Sequence, residues 1–206
     1  MSDVNDSSLG ESSDDSKREF VSRGGLKLLA ALEAFDLDVE RYVCADLGCN
    51  VGGFTDCLLQ HGAAKVFSVD TGYGTLAWKL RNDERVEVYE RTNAMHVPAE
   101  VIPEGGVDLV VIDLAWTPQK HAIPAALAWK PKGIMTLIKP HYESTHSGGK
   151  RPRLSDEEAE VVMEETLGRM TDLGVVVKGC VKSPIRGGKS KGKAGNVEYL
   201  AYVVSG

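Results

Sequence analysis

Residues 42–54 read YVCADLGCNVGGF, a short apolar run that stops at Gly48 and continues into a loop containing Gly52 and Gly53. Apolar runs of this length that end at a glycine are typical of buried β-strands. The residues that follow, Phe54–His61, have helical spacing and stop at Gly62. The segment therefore predicts a strand, a glycine-rich loop and a helix in immediate succession.

The same alternation of short apolar runs and helical segments continues on both sides of this unit. The further predicted strands are Lys65–Asp70, Val86–Tyr89, Val107–Asp113, Gly133–Lys139, Val175–Val181 and Val197–Val204, and the further helices are Leu26–Phe35, Leu76–Arg81, Pro118–Trp129 and one that Ser155 and Glu158 open as a capping box. This pattern predicts a doubly wound α/β sandwich with a mostly parallel sheet. The last two strands lie close together after a helix, so we expect an antiparallel C-terminal strand.

The charge is distributed unevenly along the chain. Its 206 residues carry 24 Lys and Arg against 30 Asp and Glu, a net charge of −6, and residues 1–20 account for −4 of it. We expect residues 1–19 to be a disordered acidic tail and residues 20–206 to be one domain. Basic residues gather within 130–153 and 178–195, which indicates either a solvated loop face or a rim that binds a polyanion.

Several classes of protein find no support in the sequence. No apolar run approaches the ~20 residues that a membrane span needs, and no basic leader precedes an apolar segment. The four cysteines form no Cys-x-x-Cys pair and the five histidines have no metal-ligand spacing, so we expect no metal site. We therefore expect a cytoplasmic protein without membrane contact.

Polar residues follow the first three predicted strands, at the edge where open α/β sheets bind ligands. The loop after the first strand is not G-x-G-x-x-G, since Asn50 stands where the second glycine would be, and this argues against a dinucleotide. Asp70 ends the second strand, where a carboxylate can accept both hydroxyls of a ribose. Asn93 lies just beyond the third strand and can recognise an adenine edge. Together these residues predict an adenosine-type pocket without a phosphate cradle, which S-adenosylmethionine fits.

Two further charged residues end the fourth and fifth predicted strands. Asp113 follows Val-Val-Ile and Lys139 follows Thr-Leu-Ile, so both are expected at the same sheet edge. Burying an isolated charge there is costly, and each residue therefore needs a partner or a chemical role. Lys139 is either a salt-bridge residue or a base, and spacing alone leaves both possibilities open.

Seven stretches carry a family resemblance: Ser22–Leu28, Gly52–Leu59, Glu90–Ala94, Val111–Asp113, Lys139–Pro140, Ser183–Ile185 and Gly195–Leu200. They resemble the TlyA (hemolysin A) family and, more distantly, the FtsJ/RrmJ family of ribose methyltransferases. The resemblance implies a Rossmann-like, S-adenosylmethionine-dependent methyltransferase. Its expected reaction is methyl transfer to ribose 2′-hydroxyls of RNA, with ribosomal RNA and cytidine favoured.

The resemblance also assigns site residues. The families use a Lys-Asp-Lys-Glu tetrad, which falls on Lys27, Asp113, Lys139 and Glu198. The expected cofactor-binding residues are Asp46, Gly48, Gly52, Gly53, Phe54, Asp70, Asn93 and Asp113. The expected substrate-binding residues are Arg23, Trp116, Arg186, Lys189 and Lys191.

Three departures from the family pattern bear on the substrate. TlyA proteins usually begin with a small RNA-binding domain, where this chain offers only the acidic stretch, so we expect RNA selection either to come from elsewhere or to be different. Asn50 and Val51 stand where family members often have Ser-Thr, and Trp116 replaces a Phe. Trp116 is equally compatible with stacking on a base and with packing in the core. The alternatives are a small-molecule methyltransferase and a non-catalytic RNA-binding module.

Overall fold

The computed structural model describes residues 19–144, 154–188 and 195–206, which form a seven-stranded sheet with helices on both faces. The strands are β1 (Val43–Leu47), β2 (Lys65–Val69), β3 (Val86–Tyr89), β4 (Leu109–Ile112), β5 (Gly133–Ile138), β6 (Val175–Lys182) and β7 (Tyr199–Ser205). The helices are α1 (Gly24–Ala34), α2 (Gly53–Gln60), α3 (Trp78–Arg81), α4 (Gln119–Leu127), α5 (Pro140–Glu143) and α6 (Asp156–Thr171), with 3₁₀ turns at Ala94–His96 and Ala99–Val101.

The sheet has the order β3-β2-β1-β4-β5-β7-β6. Strands β1 to β5 pair in parallel, whereas β7 is antiparallel to both of its neighbours. The order reverses between β1 and β4, and such a reversal opens a crevice beyond the carboxyl ends of the strands. Because β7 runs the other way, it begins at the edge where β5 ends, and Tyr199 pairs with Ile138. Glu198 therefore lies at the same edge as Lys139.

Alternating strand residues supply two hydrophobic cores, one on each face of the sheet. On one face Val111 packs in a cluster that includes Leu28 of α1 and the apolar side of α2. On the other face Val110 packs in a cluster with Trp129, which follows α4, and Met163 of α6. The central strands are thus buried on both sides, as parallel strands covered by helices should be. The predicted α/β sandwich with an antiparallel C-terminal strand is confirmed.

Most predicted element boundaries agree with the structure to within two residues. Helix α1 begins at Gly24 instead of Leu26, and β4 is shorter than Val107–Asp113 at both ends. The capping box is confirmed, since Ser155 and Glu158 exchange their side-chain to backbone hydrogen bonds. Of the predicted acidic tail, only Glu19 falls within the described residues, and residues 1–18 lie outside them.

Candidate active site

Two neighbouring cavities occupy the sheet edge at the crevice. The first, of about 320 Å³, is lined by the start of α1, the loop after β1, the ends of β4 and β5, and residues 185–188. The second, of about 420 Å³, is lined by residues that follow β2, β3 and β4. Gly48, Asn50, Asp113 and Ala115 line both cavities, which are therefore two parts of one groove.

The predicted tetrad forms a chain of alternating charges at the first cavity. Lys139 Nζ donates to Asp113 Oδ1 at 2.5 Å, and Lys27 Nζ lies 4.0 Å from Asp113 Oδ2. Lys27 Nζ also donates to Glu198 Oε2 at 2.6 Å. Both lysine side chains are almost buried, and burial of charge is tolerated when each ion has an opposite neighbour with hydrogen-bonding geometry. Glu198 thus pairs with Lys27 and holds its ammonium from the side opposite Asp113.

Close contacts between glycines bring Lys27 and Glu198 to this position. Gly24 and Gly25 at the start of α1 lie against Gly53 at the start of α2, where a Cβ on Gly53 would overlap the α1 backbone. This contact sets α1 so that Lys27, one turn further along, reaches the cavity. On the other side the backbone of Gly187 lies directly on the Glu198 carboxylate, with no space for a side chain.

Asp46 lies at the end of β1 and is completely buried. Its Oδ2 accepts hydrogen bonds from the backbone N–H and the hydroxyl of Thr55 in α2, at 3.0 and 2.7 Å. Its Oδ1 has no hydrogen-bond partner among the described residues, although the residue lines the first cavity. Burial, helped by the negative charge of Asp113, raises the pKa of the Asp46 carboxyl to about 7. A cationic group in the cavity would supply the partner that this oxygen lacks.

Asp70 and Asn93 line the second cavity. The two carboxylate oxygens of Asp70 accept hydrogen bonds from the backbone N–H groups of Asn50 and Gly72, at 2.9 and 2.7 Å, which fixes the orientation of the carboxylate. The side-chain oxygen of Asn93 accepts from the Met95 N–H at 2.9 Å, so its amide nitrogen is the group that remains to donate to a ligand. Both residues are therefore positioned to bind a polar ring and a sugar.

The hydrogen-bonding groups that line the two cavities fit S-adenosylmethionine. Asp46 offers an acceptor for the methionine ammonium, and Asp70 and Asn93, in the adjoining cavity, offer groups for the ribose and adenine. Gly48, with φ +92°, has no space for a Cβ next to the Asp113 carbonyl, so the loops after β1 and β4 approach each other closely beneath the groove.

Of the remaining predicted cofactor-binding residues, some line the cavities and one does not. Gly53 and Phe54 line the first cavity. Gly52 lines neither of the two cavities. It is the N-cap residue of α2, with φ +101°, and a Cβ there would overlap the side chains of Leu76 and Leu80. Its glycine is thus required for packing against α3, and its predicted cofactor contact has no support in this geometry.

The predicted substrate residues lie at the mouth of the groove where they are described. Arg23 and Arg186 line the first cavity and Trp116 lines the second. Trp116 is 69% exposed and stacks on Tyr142, with ring centroids 5.1 Å apart, so the alternative of a core tryptophan is wrong. Lys189 and Lys191 lie outside the described residues.

Sequence reasoning missed three residues that contact predicted site residues. The Leu114 carbonyl accepts a second hydrogen bond from Lys139 Nζ at 3.0 Å, and Tyr142 places its ring 5.8 Å from that nitrogen. Asp156 forms an ion pair with Arg186. The sequence Lys139-Pro-His-Tyr could have indicated Tyr142, because a proline after a strand favours a helical turn that returns the third residue to the site. No local signal marks Leu114 or Asp156.

Two negative findings concern the described ranges alone. Within residues 19–144, 154–188 and 195–206, no group of three or more His, Cys, Asp or Glu side chains has the arrangement of a metal site. Over the same part of the chain, no helix combines the length and apolar character required to cross a bilayer.

Comparison with known proteins supports the family resemblance. The FtsJ-like methyltransferase family matches residues 20–202. The 16S/23S rRNA (cytidine-2′-O)-methyltransferase TlyA of Mycobacterium tuberculosis is 42% identical over 92% of this chain and 70% of its own length. Hemolysin A of Brachyspira hyodysenteriae is 33% identical over 90% of this chain and 77% of its own length.

Solved structures agree with the sequence relatives. A structure described as a hemolysin from Streptococcus thermophilus superposes with a TM-score of 0.80 and 35% identity, over 92% of this chain and 68% of that one. More distant S-adenosylmethionine-dependent methyltransferases share the fold. The expected family, enzyme class and cofactor are thereby confirmed. The chain belongs to the FtsJ-like methyltransferase family.

Proposed function

We propose that this protein transfers the methyl group of S-adenosylmethionine to ribose 2′-hydroxyls of ribosomal RNA, with cytidine as the favoured nucleoside. The observation that carries the proposal is the tetrad, of which Lys27, Asp113 and Lys139 line one cavity while the buried Glu198 pairs with Lys27. Transfer to a more acidic acceptor would not need a buried lysine held in this manner. The proposal assigns the reaction to residues 20–206 and leaves the acidic tail, residues 1–19, outside it.

Lys139 is the residue proposed to remove the proton from the ribose hydroxyl. Its nitrogen has two acceptors, Asp113 Oδ1 and the Leu114 carbonyl. A neutral amine has two hydrogens and one lone pair, so it can keep both of these bonds and direct the lone pair to a third group. The two contacts therefore orient the amine for a hydroxyl in the cavity, which is the geometric requirement for a general base.

Lys27 and Glu198 complete the electrostatics of the site. Lys27 approaches the second oxygen of Asp113, and Glu198 balances the charge of Lys27 from the opposite side. An oxyanion that develops on the ribose meets the ammonium of Lys27, whose side chain is nearly buried, and a fixed charge in such a place stabilises it strongly. S-adenosylmethionine, when bound, supplies a methyl group on a sulfonium, which is already a good leaving group. The chain's own contribution is alignment and proton removal.

The mouth of the groove supports RNA as the substrate. Arg23 and Arg186 line the cavity that contains the tetrad, and guanidinium groups are suited to bind phosphate through paired hydrogen bonds. Trp116, which is 69% exposed and is positioned by its stack on Tyr142, offers an aromatic surface to an unpaired base. The relative from Mycobacterium tuberculosis is named for acting on cytidines of 16S and 23S rRNA, and that name is the reason for favouring these substrates. A ribosomal substrate implies action in the cytoplasm, which stays a prediction.

The test is incorporation of label from methyl-labelled S-adenosylmethionine. Purified protein is incubated separately with deproteinised ribosomal RNA, with ribosomal subunits and with a small-molecule extract, and the RNA is digested to nucleosides for mass spectrometry. We expect 2′-O-methylcytidine from RNA or subunits. Label in small molecules alone would favour the small-molecule alternative, and no label in any pool would favour a non-catalytic RNA-binding module.

A further inference from the structure

Asp156, the first residue of α6, binds two cations through one oxygen. Its Oδ2 accepts a hydrogen bond from Arg186 Nη2 at 2.6 Å and lies 3.3 Å from Lys182 Nζ. The capping box of α6 immediately surrounds this carboxylate, because Ser155 is the N-cap and Glu158 returns to the Ser155 N–H. The position of Asp156 is therefore set by the start of α6.

Arg186 belongs to two environments at the same time. It lines the cavity that contains the tetrad, together with Arg23 and Lys139, whereas Asp156 is not among the residues that line this cavity. One guanidinium nitrogen is used by Asp156, and Nη1 makes a long contact of 3.4 Å with the Gly195 carbonyl. A charged group at the mouth of the site is thus held from outside the site.

The ion pair between Asp156 and Arg186 is weak enough for another anion to replace Asp156. The side chains of Asp156 and Arg186 are each 42% exposed, and ion pairs in contact with water are weak and screened by salt. A phosphate is a better bidentate partner for a guanidinium than a carboxylate oxygen that is shared with a second cation. An RNA phosphate at the mouth can therefore replace Asp156 as the partner of Arg186.

We infer that Asp156 is a built-in counterion of Arg186, which competes with the substrate's phosphate for this guanidinium and so weakens RNA binding. The inference rests on the proposed function, since it takes RNA to be the substrate. Asp156 acts through Arg186 and is a positioning residue. Its effect is to make RNA binding weaker and less dependent on salt than the arginine alone would make it.

The test is the salt dependence of RNA binding in Asp156→Asn. Dissociation constants of a fluorescein-labelled single-stranded RNA oligonucleotide of mixed sequence are measured by anisotropy over a series of NaCl concentrations. We expect the variant to bind about two- to fivefold more tightly than wild type at low salt, the range that exposed ion pairs span. In wild type the displaced Asp156 takes up a salt cation, which offsets the cation released from the phosphate. The variant lacks this offset, so the slope of the logarithm of the association constant against log[NaCl] should become more negative by up to about 0.7.

Glu157→Gln is the matched control. Glu157 is exposed, occupies the same first turn of α6 and forms no ion pair with Arg186 in the described part of the chain. This variant removes the same charge from the helix start and changes the net charge equally. We expect its salt slope to equal that of wild type, so a general charge effect is separated from release of Arg186. Melting temperatures of both variants show whether α6 remains formed.

A double variant tests whether Asp156 affects RNA binding through Arg186. In the Arg186→Ala background, the effect of Asp156→Asn on affinity should shrink by at least half, since Lys182 is then the remaining cation released. Weaker or unchanged RNA binding in Asp156→Asn, or an effect that persists in full without Arg186, would overturn the inference. Failure of the proposed function has a different signature, because wild-type protein would then fail to methylate ribosomal RNA whatever these variants do.

Discussion

Replacing Asp46 with Asn should make the protein more stable above neutral pH and, at the same time, less able to bind its cofactor. The Asp46 carboxyl is fully buried with one oxygen unpartnered among the described residues, and burial raises its pKa from the ordinary 3.8 to about 7. The folded protein therefore holds a proton that the unfolded chain has lost between about pH 4 and pH 7. Over this range the residue's contribution to stability falls as pH rises.

The size of the effect follows from the two pKa values. A change from 3.8 to about 7 corresponds to ~4 kcal/mol of unfavourable free energy in the charged form, most of which appears between pH 5 and pH 8. Asparagine has no charge, and its carbonyl can still accept the hydrogen bonds from Thr55. The unfolding free energy of Asp46→Asn relative to wild type should therefore rise by ~3 kcal/mol between pH 5 and pH 8.

Cofactor binding should change in the opposite direction. A carboxylate that binds an ammonium group contributes about 1.5–3 kcal/mol, so the affinity of Asp46→Asn for S-adenosylmethionine should fall about ten- to a hundredfold at pH 7.5. Wild-type affinity should also weaken as pH is lowered from 7 to 5.5, whereas the variant's affinity should not. Urea unfolding and isothermal titration calorimetry across this pH range measure both quantities. The reasoning would be refuted if the unfolding free energy of Asp46→Asn minus that of wild type fell, instead of rising, between pH 5 and pH 8.

Three further predictions concern packing, the tetrad and the substrate surface. Gly53→Ala should lower the free energy of unfolding in urea by ~1–3 kcal/mol because its methyl overlaps the α1 backbone. Gly168→Ala, at an exposed position of α6 with open space around it, should raise the free energy of unfolding by up to ~1 kcal/mol. Glu198→Gln should lower the free energy of unfolding by ~3 kcal/mol because Lys27 loses its buried partner. The double variant Lys27→Met with Glu198→Leu should regain this stability but have no activity. A double variant that regains both stability and activity would contradict the role given to these charges. Trp116→Ala should leave the melting temperature unchanged but raise the KM for RNA about tenfold, with Trp116→Phe intermediate, and an unchanged KM would remove the base-stacking role.

The positions of site residues along strands could be predicted from sequence. Asp46, Asp70, Asp113 and Lys139 each stand at or just beyond the end of an apolar run, and parallel pairing brings those ends to one edge. The family resemblance added Lys27 and Glu198 and placed both in the tetrad. The strand-end positions depend on local sequence pattern and on a general rule about parallel sheets, and for this reason they could be predicted from the sequence.

Features that depend on long-range pairing could not be predicted in this way. Insertion of β7 between β5 and β6 brings Glu198 to Lys27, and no local pattern encodes strand order, so only the resemblance pointed to this pair. The predicted cofactor role of Gly52 missed its contact with α3, because a glycine required by packing resembles one required by a ligand. Arg186 was expected to be available for RNA, and its partner Asp156 lies 30 residues away on a different element.

The most direct test of the account is a comparison of Lys139→Ala with wild type on ribosomal RNA. Single-turnover methylation is followed with labelled S-adenosylmethionine, and cofactor affinity is measured by calorimetry on the same preparations. We predict ribose 2′-O-methylation by wild type, with no detectable product from Lys139→Ala and a cofactor affinity within twofold of wild type. Wild-type rates in Lys139→Ala would contradict the assignment of Lys139 as the base, and methyl groups found on bases instead of ribose would contradict the proposed reaction itself.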